Sequence, residues 1–454
     1  MAQQGIDIRR LNIKAFNVKY FIKNPIITGA FFLTLSGLIT KLIGFFYRIF
    51  LSRIFLEEGL GIIGLISPVL VLAHSICFAG IQNAITRFVA ASKGERERAG
   101  FGYLFAGIVI SVSLSFLTSW LIFTNAAGIA LHIIGEIRCT ALLRISALSL
   151  PLVAVHSCIN GYFYGKKRAS VPAVSMLIEQ LTRVFCVWFL YRLSLNLGAN
   201  VSISFVCIGM LAGEFTSAVF SCVFLALSSL NKPKPQIFAC MYGEIVSLAF
   251  PISLNRVCIS FISTIETLQI PKQLMSSGLS SSEALSVYGV FSGMAFPLIM
   301  FPSALTGAVS SLLLPSVSEA QVSGNSRRIK KLIYITFVFC LALGIGCMLF
   351  FLTFADLLGE YLFASPTAAS QIRALSFVCP FLYLSGALCS ILHGLGKTGV
   401  TFIFNLSCIL LRLAFVFAAI PALGFSGYIY GILFSQIFFD LLIVLALRKY
   451  IIYN

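Results

Sequence analysis

Long apolar stretches recur along the chain from Pro25 onward, rich in Leu, Ile, Val, Phe and Ala and separated by short segments where Gly, Pro and charged residues gather. Most reach the roughly 20 residues that a helix needs to cross a hydrocarbon core of about 30 Å. The pattern predicts spans near residues 25–56, 60–82, 101–123, 140–163, 171–193 and 203–229, then 245–270, 287–316, 332–354, 372–395, 398–420 and 425–447. The fold class it predicts is an all-α polytopic membrane protein with about twelve transmembrane helices.

The polar segments agree with that count. Loops that stay in the cytoplasm collect Lys and Arg, and alternate segments here do so. One side receives Arg9, Arg10, Lys14, Lys19 and Lys23, then Arg87, Lys93, Arg96 and Arg98, then Lys166, Lys167 and Arg168, then Lys232 and Lys234. It continues with Arg327, Arg328, Lys330, Lys331, Lys397, Arg448 and Lys449, which makes 21 of the 32 Lys and Arg residues. The other side holds only Arg138, Arg192, Lys272 and Arg373. Both termini are expected in the cytoplasm, with the chain in the cell (plasma or inner) membrane. No short apolar core with a small-residue cleavage site opens the sequence, so the first helix is read as the targeting signal.

An internal repeat divides the spans into two six-helix bundles. Ser157 to Gly165 with Lys166 resembles Ser390 to Gly396 with Lys397, and Arg183 then answers to Arg412, with the extra Lys167 and Arg168 absorbing a two-residue difference. Lys41 in the first span answers more loosely to Arg256 in the seventh. The expected organisation is a basic N-terminus over 1–24, an N-terminal bundle over 25–230, a cytoplasmic linker over 231–243, a C-terminal bundle over 244–447 and a cytoplasmic tail over 448–454. Both bundles start and end on the same side, so the pseudo-twofold axis should lie along the membrane normal.

Composition then excludes several classes. With 59% hydrophobic and 10% charged residues and a mean hydropathy of +0.99, the net charge of +17 sits in short loops rather than on a soluble basic face, so no nucleic-acid partner is expected. Thirteen cysteines show no C-x-x-C pair, and His74, His132, His156 and His393 have no ligand spacing, so no metal is expected and the histidines are read as packed or bonded to backbone. Gly394-Leu395-Gly396-Lys397-Thr398 resembles a nucleotide loop only in part, because Ile391 stands where its first glycine belongs. No enzyme chemistry and no cofactor are expected; transport would draw on a Na+ or H+ gradient, the membrane potential or another subunit.

The chemistry lies in charges inside the spans. Lys41, Arg48, Arg53, Arg144, Arg183, Arg256 and Arg412 face only four acids there, Glu179, Glu214, Glu266 and Asp440, so at least three cations lack a one-to-one partner. A Lys or Arg at the helix centre costs about 2.5–3.5 kcal/mol on the insertion scale unless a partner, water or an anionic ligand meets it. Lys41, Arg48, Arg53 and Arg256 are the candidate substrate contacts. Glu179, Arg183, Glu214, Glu266 and His74 are the candidate gating or coupling residues; Glu179 and Arg183 are one turn apart and can pair. Arg256 and Glu266 are expected at two depths of one cavity, and Arg412 is expected to pair with Asp440. Gly37, Gly44, Pro251, Pro271, Pro297, Pro302 and Pro315 mark where helices bend.

Thr40-Lys41-Leu42-Ile43-Gly44-Phe45-Phe46-Tyr47-Arg48, with Leu51-Ser52-Arg53, resembles the opening helix of the multidrug/oligosaccharidyl-lipid/polysaccharide flippase superfamily, in its stage V sporulation protein B and polysaccharide-exporter branch. Glu58-Gly59-Leu60-Gly61, Ser67-Pro68, Ala79-Gly80-Ile81, Ala84-Ile85 and Ala90 extend the resemblance through the second helix. It implies two bundles in a V around a cavity formed chiefly by helices one, two, seven and eight. It also implies that Lys41, Arg48 and Arg53 engage a pyrophosphate. The departure is the end of the chain: relatives that carry lipid II usually add two helices after the twelfth.

The first reading is therefore a transporter that flips a polyprenyl-pyrophosphate-linked saccharide or cell-wall precursor from the inner to the outer leaflet by alternating access. Its partners are that anionic substrate and membrane lipids, and a monomer is expected. The alternatives are a cation-coupled multidrug efflux transporter, which wants free buried acids, and a non-transporting scaffold for cell-wall or spore-envelope synthesis.

Overall fold

A computed structural model describes residues 25–92, 97–229 and 239–452, so the expected basic N-terminus, most of the linker and the last tail residues lie outside the described residues. The helices are α1 (Pro25–Cys77), α2 (Ala79–Ala91), α3 (Glu97–Thr124), α4 (Cys139–Ala147), α5 (Leu150–Gly165), α6 (Ser170–Asn196) and α7 (Ser204–Ser229). The second set is α8 (Ala239–Ser276), α9 (Ser281–Met300), α10 (Ser303–Val322), α11 (Ser326–Leu357), α12 (Pro366–Ser376), α13 (Cys379–Gly394), α14 (Thr398–Ala418) and α15 (Phe425–Ile452). No strand occurs among the described residues.

By length and composition, nine stretches qualify as crossings, or eleven when the bent pairs α4 with α5 (42°) and α12 with α13 (56°) each count as one. The first stretch, Phe32–Ala91, runs 60 residues, about three times one crossing. It is broken at Leu56, whose φ of 55° lies in the left-handed region that costs an L-residue roughly 1–2 kcal/mol. Counting its two arms separately brings the total to the expected twelve. The chain is a multi-pass membrane protein.

Several boundaries differ from the sequence reading. The second span continues past a turn at Phe78 into α2, which holds Arg87. The eighth is split between α9 and α10 at Phe301 and Pro302, where a ring without an N–H ends a helix. Residues 239–243 of the expected linker form the first turn of α8, and α15 runs through Arg448 to Ile452. Met241, Ile245 and Ala249 of α8 are buried in the same core as Ile85, Leu104 and Tyr162 of the N-terminal bundle.

The repeat is visible in backbone bonds. The Arg168 N–H donates to the Phe163 carbonyl at 2.9 Å across Lys167 (φ 58°), and the Lys397 N–H donates to the Leu392 carbonyl at 2.9 Å across Gly396 (φ 72°). Both turns close a helix with a left-handed residue. This pairs Arg168 with Lys397 rather than Lys166 with Lys397. Arg183 and Arg412 then lie the same fifteen residues beyond their turns, with no slip to absorb.

Tyr383 shows how α13 holds the eighth span. It is fully buried, and its hydroxyl donates to the Ile299 carbonyl at 2.6 Å, beside the α9–α10 break. Tyr383→Phe should cost about 1–3 kcal/mol by leaving that carbonyl without its donor, read as a lower melting temperature in detergent. An unchanged value would mean that another donor serves the carbonyl.

Candidate functional site

The first arm of α1 presents Thr40, Lys41, Gly44, Tyr47, Arg48 and Leu51 at helical spacing to a cavity of about 530 Å3. Its other walls come from the second arm of α1, α6, α7, α8 and α9. A second chamber of about 280 Å3 shares Lys41, Gly44 and Arg48 and extends toward Pro297, Phe301 and Ser303. Helices one, two, seven and eight contribute as the resemblance implied, together with the fifth and sixth.

Arg48 is fixed by a local defect in α9. Val290–Ala295 is a π-helical turn in which the Phe296 N–H bonds the Phe291 carbonyl, five residues back. In that register the Ser292 carbonyl should receive residue 297, which is proline and has no N–H. Arg48 Nη1 fills the gap, donating to the Ser292 carbonyl at 3.0 Å. Lys41 and Arg48 both remain exposed to the cavity, and among the described residues neither has a carboxylate partner. Thr40, Tyr47 and Ser292 belong to the same wall, but their hydroxyl oxygens are buried within it with no hydrogen-bond partner. Cations without carboxylate partners suit an anionic ligand.

Arg183 also lines the cavity, but it is neutralised. Its Nη2 lies 2.5 Å from Glu179 Oε1 and 3.4 Å from Glu214 Oε1, while Glu214 Oε2 meets His156 Nε2 at 2.8 Å. One nitrogen of His156 and one oxygen each of Glu179 and Glu214 lie within 4.8 Å of one another, a spacing that suits a metal. The Arg183 guanidinium already supplies the positive charge there. His156, read from sequence as packed or backbone-bonded, is instead paired with a carboxylate. His74 packs against Phe78 at 5.1 Å between centroids, with the rings tilted by 43°, and lies in the field of Glu214 and His156.

The remaining candidates lie elsewhere. Arg53 does not line either chamber; it donates from Nη2 to the Tyr361 carbonyl at 2.5 Å and from Nε to the Leu362 carbonyl at 3.2 Å. Arg256 is exposed on α8 and Glu266 is buried, and neither lines the two chambers. Glu266 takes Arg412, with Oε1 at 3.0 Å from Nε and Oε2 at 3.1 Å from Nη2, and Tyr428 donates to Oε1 at 3.2 Å. The expected Arg412–Asp440 pair is therefore not made. Asp440 is buried with neither carboxylate oxygen bonded.

Arg53 belongs to a seal at the Leu56 end of the cavity. There Glu57 accepts from the Ser365 hydroxyl, which also caps α12 through the Ala368 N–H at 3.0 Å. Lys272 Nζ donates to the Ile133 carbonyl at 2.7 Å. Gly61 and Gly289 let α1 and α9 touch: a Cβ on Gly61 would lie 2.1 Å from the Leu285 carbonyl oxygen, and one on Gly289 would lie 1.9 Å from that of Glu57. In the adjoining loop Arg138 bridges Glu58 at 2.7 Å and Glu136 at 2.8 Å, and its guanidinium holds the Glu136 carboxyl below the usual carboxylate range. Phe32, Leu35, Leu38, Ile39 and Leu42 of the first arm are exposed and line neither chamber.

Twelve crossings in a repeated six-helix plan, around a central cavity sealed at one end, define the transporter class of the multidrug/oligosaccharidyl-lipid/polysaccharide flippase superfamily. Residues 26–321 match the family model described as polysaccharide biosynthesis protein, and the chain belongs to that family. Residues 251–418 also match the model described as MatE. Stage V sporulation protein B of Bacillus subtilis (strain 168) is 24% identical over 94% of this chain and 84% of its own length. Lipid II flippase MurJ of the same organism is 23% identical over 67% of this chain and 60% of its own. The fold resembles an inward-facing multidrug resistance MATE family transporter of the MOP superfamily (TM-score 0.75, 14% identity, 90% of this chain and 95% of that one). It also resembles an inward closed lipid II flippase MurJ (TM-score 0.69, 15% identity, 92% and 87%).

Proposed function

We propose that this transporter carries a polyprenyl-pyrophosphate-linked saccharide, or a similar cell-wall precursor, from the inner to the outer leaflet. The observation behind this reading is the pair Lys41 and Arg48, without carboxylate partners in a cavity where an anion would relieve the cost of holding them at membrane depth. The pyrophosphate sits between them, the sugar occupies the rest of the cavity, and the prenyl tail stays in lipid. The seal around Arg53, Glu57 and Lys272 is then the outer gate, and the exposed side of the first arm faces the inner leaflet. Both termini are cytoplasmic in this orientation and the membrane is the plasma membrane. Arg183, held by Glu179 and Glu214, is the gating residue, since a bound anion competes with both carboxylates for it.

The MATE-like fold favours the exporter as a second reading. Against it, an organic cation needs a free carboxylate in the cavity, and among the described residues no Asp or Glu lines either chamber. The test is reconstitution: vesicles holding the protein should move a fluorescent prenyl-pyrophosphate saccharide between leaflets, with excess inorganic pyrophosphate on the inner side slowing it. No movement above empty vesicles, with cation-driven dye efflux instead, would replace this reading with the exporter.

A further inference from the structure

Beside the cavity, two carboxylates share one guanidinium. Arg183 reaches both through Nη2 alone, Glu179 at 2.5 Å and Glu214 at 3.4 Å, and its Nε is buried without a partner. The same side chain lines the cavity that holds Lys41 and Arg48. Behind the acids stands His156 of α5, 8% exposed, with Nε2 at 2.8 Å from Glu214 Oε2 and with Nδ1 buried and unbonded. An imidazole that donates its Nε2 proton to a carboxylate keeps a lone pair on Nδ1, and that atom takes the proton when the ring becomes imidazolium. Here nothing occupies it.

We infer that His156 takes up a proton from solvent when an anion in the cavity draws Arg183 off Glu214, so that anion binding and proton uptake are linked. Two ionised carboxylates around one guanidinium would leave a negative charge unmatched, so Glu179 and Glu214 hold one proton between them at rest. When Arg183 turns to the anion, its charge leaves the acids, and an imidazolium already bonded to Glu214 replaces it. The cluster is neutral before and after. The other titratable groups facing it are His74 of α1, which lies in the field of Glu214 and His156 and whose Nε2 is also buried and unbonded, and Tyr47, which lies in the field of Arg183. Neither is a fixed charge. Because binding takes up a proton, affinity should rise as pH falls, by up to about tenfold per unit while free His156 is neutral and bound His156 is charged.

This rests on the anion reading of the cavity, and one titration separates the two. The probe is the symmetrical dimethyl ester of pyrophosphate, which is doubly substituted like the proposed cargo and has no group of its own that titrates near neutral pH. It is added calorimetrically to the purified full chain in lipid nanodiscs at about pH 7.5, in buffers of different ionisation enthalpy, and the slope against that enthalpy counts the protons exchanged. Wild type should take up about one proton per anion. Binding with no uptake overturns the inference and leaves the anion reading standing. His156→Gln keeps an amide donor for Glu214 and should bind the probe while losing the uptake. Unchanged uptake in His156→Gln, or its loss in His74→Gln alone, also overturns the assignment, and if His156→Gln does not fold the wild-type slope decides. No binding heat in any buffer overturns the anion reading, and this inference with it.

Discussion

Replacing both Lys41 and Arg48 with Gln should abolish transport and leave a folded, membrane-inserted protein that fails to complement a flippase-deficient strain. Each cation would make one or two charge-assisted hydrogen bonds to a pyrophosphate, worth roughly 1.5–3 kcal/mol apiece. Losing both removes about 3–6 kcal/mol, or roughly two to four powers of ten in affinity. Stability should fall by no more than the loss of the donor to the Ser292 carbonyl, about 1–3 kcal/mol, because neither cation has a carboxylate partner to strand. Arg412→Gln is the contrast. It leaves buried Glu266 unpaired and should cost about 3–5 kcal/mol of stability. Single variants should differ too, since Arg48 also serves the Ser292 carbonyl and Lys41 has no structural bond to lose. Retained complementation in the double variant would discard the head-group role of this pair.

Much of this site could be read from the chain because its signals are local. A cation in the middle of an apolar run marks itself, and the i, i+3, i+4 spacing through Thr40, Lys41, Gly44, Tyr47 and Arg48 could have found the hydroxyls that were overlooked. The Glu179–Arg183 pair follows from helix geometry alone. Pro297 marked a break in the eighth span, and the orphaned Ser292 carbonyl one turn before it is the consequence. Contacts between residues far apart in sequence were not legible. His156 to Glu214, Arg412 to Glu266 and Arg53 to the carbonyls at 361 and 362 join residues 58, 146 and about 309 positions apart. Counting charges showed that cations outnumbered acids without saying which acid each would choose. Arg412 was assigned to Asp440 on the neighbouring span, and only the packing of α8 against α14 reveals Glu266 as its partner. The Arg53 bonds at the proposed gate are the longest-range of these, so that end was the part least visible in sequence.

Gly289→Ala tests that gate, and its expected effect is large because the obstacle is backbone. The added methyl would lie 1.9 Å from the Glu57 carbonyl oxygen and 2.5 Å from the Gly61 nitrogen, distances that no rotamer change relieves. α1 and α9 must separate there. That pulls Glu57 from Ser365 and loosens the Arg53 bonds, which hold the same end. The substitution leaves the interior of each bundle intact, so it should shift the balance between sealed and open arrangements and leave the protein folded. A cysteine at Ser292, in a background with the exposed Cys222, Cys240 and Cys258 changed to Ser, reports on it. A membrane-impermeant maleimide added outside should label S292C slowly. With Gly289→Ala added, labelling should speed up at least about tenfold, which corresponds to a shift of about 1.4 kcal/mol in the sealed-to-open balance. Gly346→Ala serves as control, since a Cβ there meets nothing within 4 Å. Equal labelling rates in the two backgrounds would mean that the Leu56 end is not the barrier between the cavity and the outer solution, and the inward-open orientation would have to be reversed.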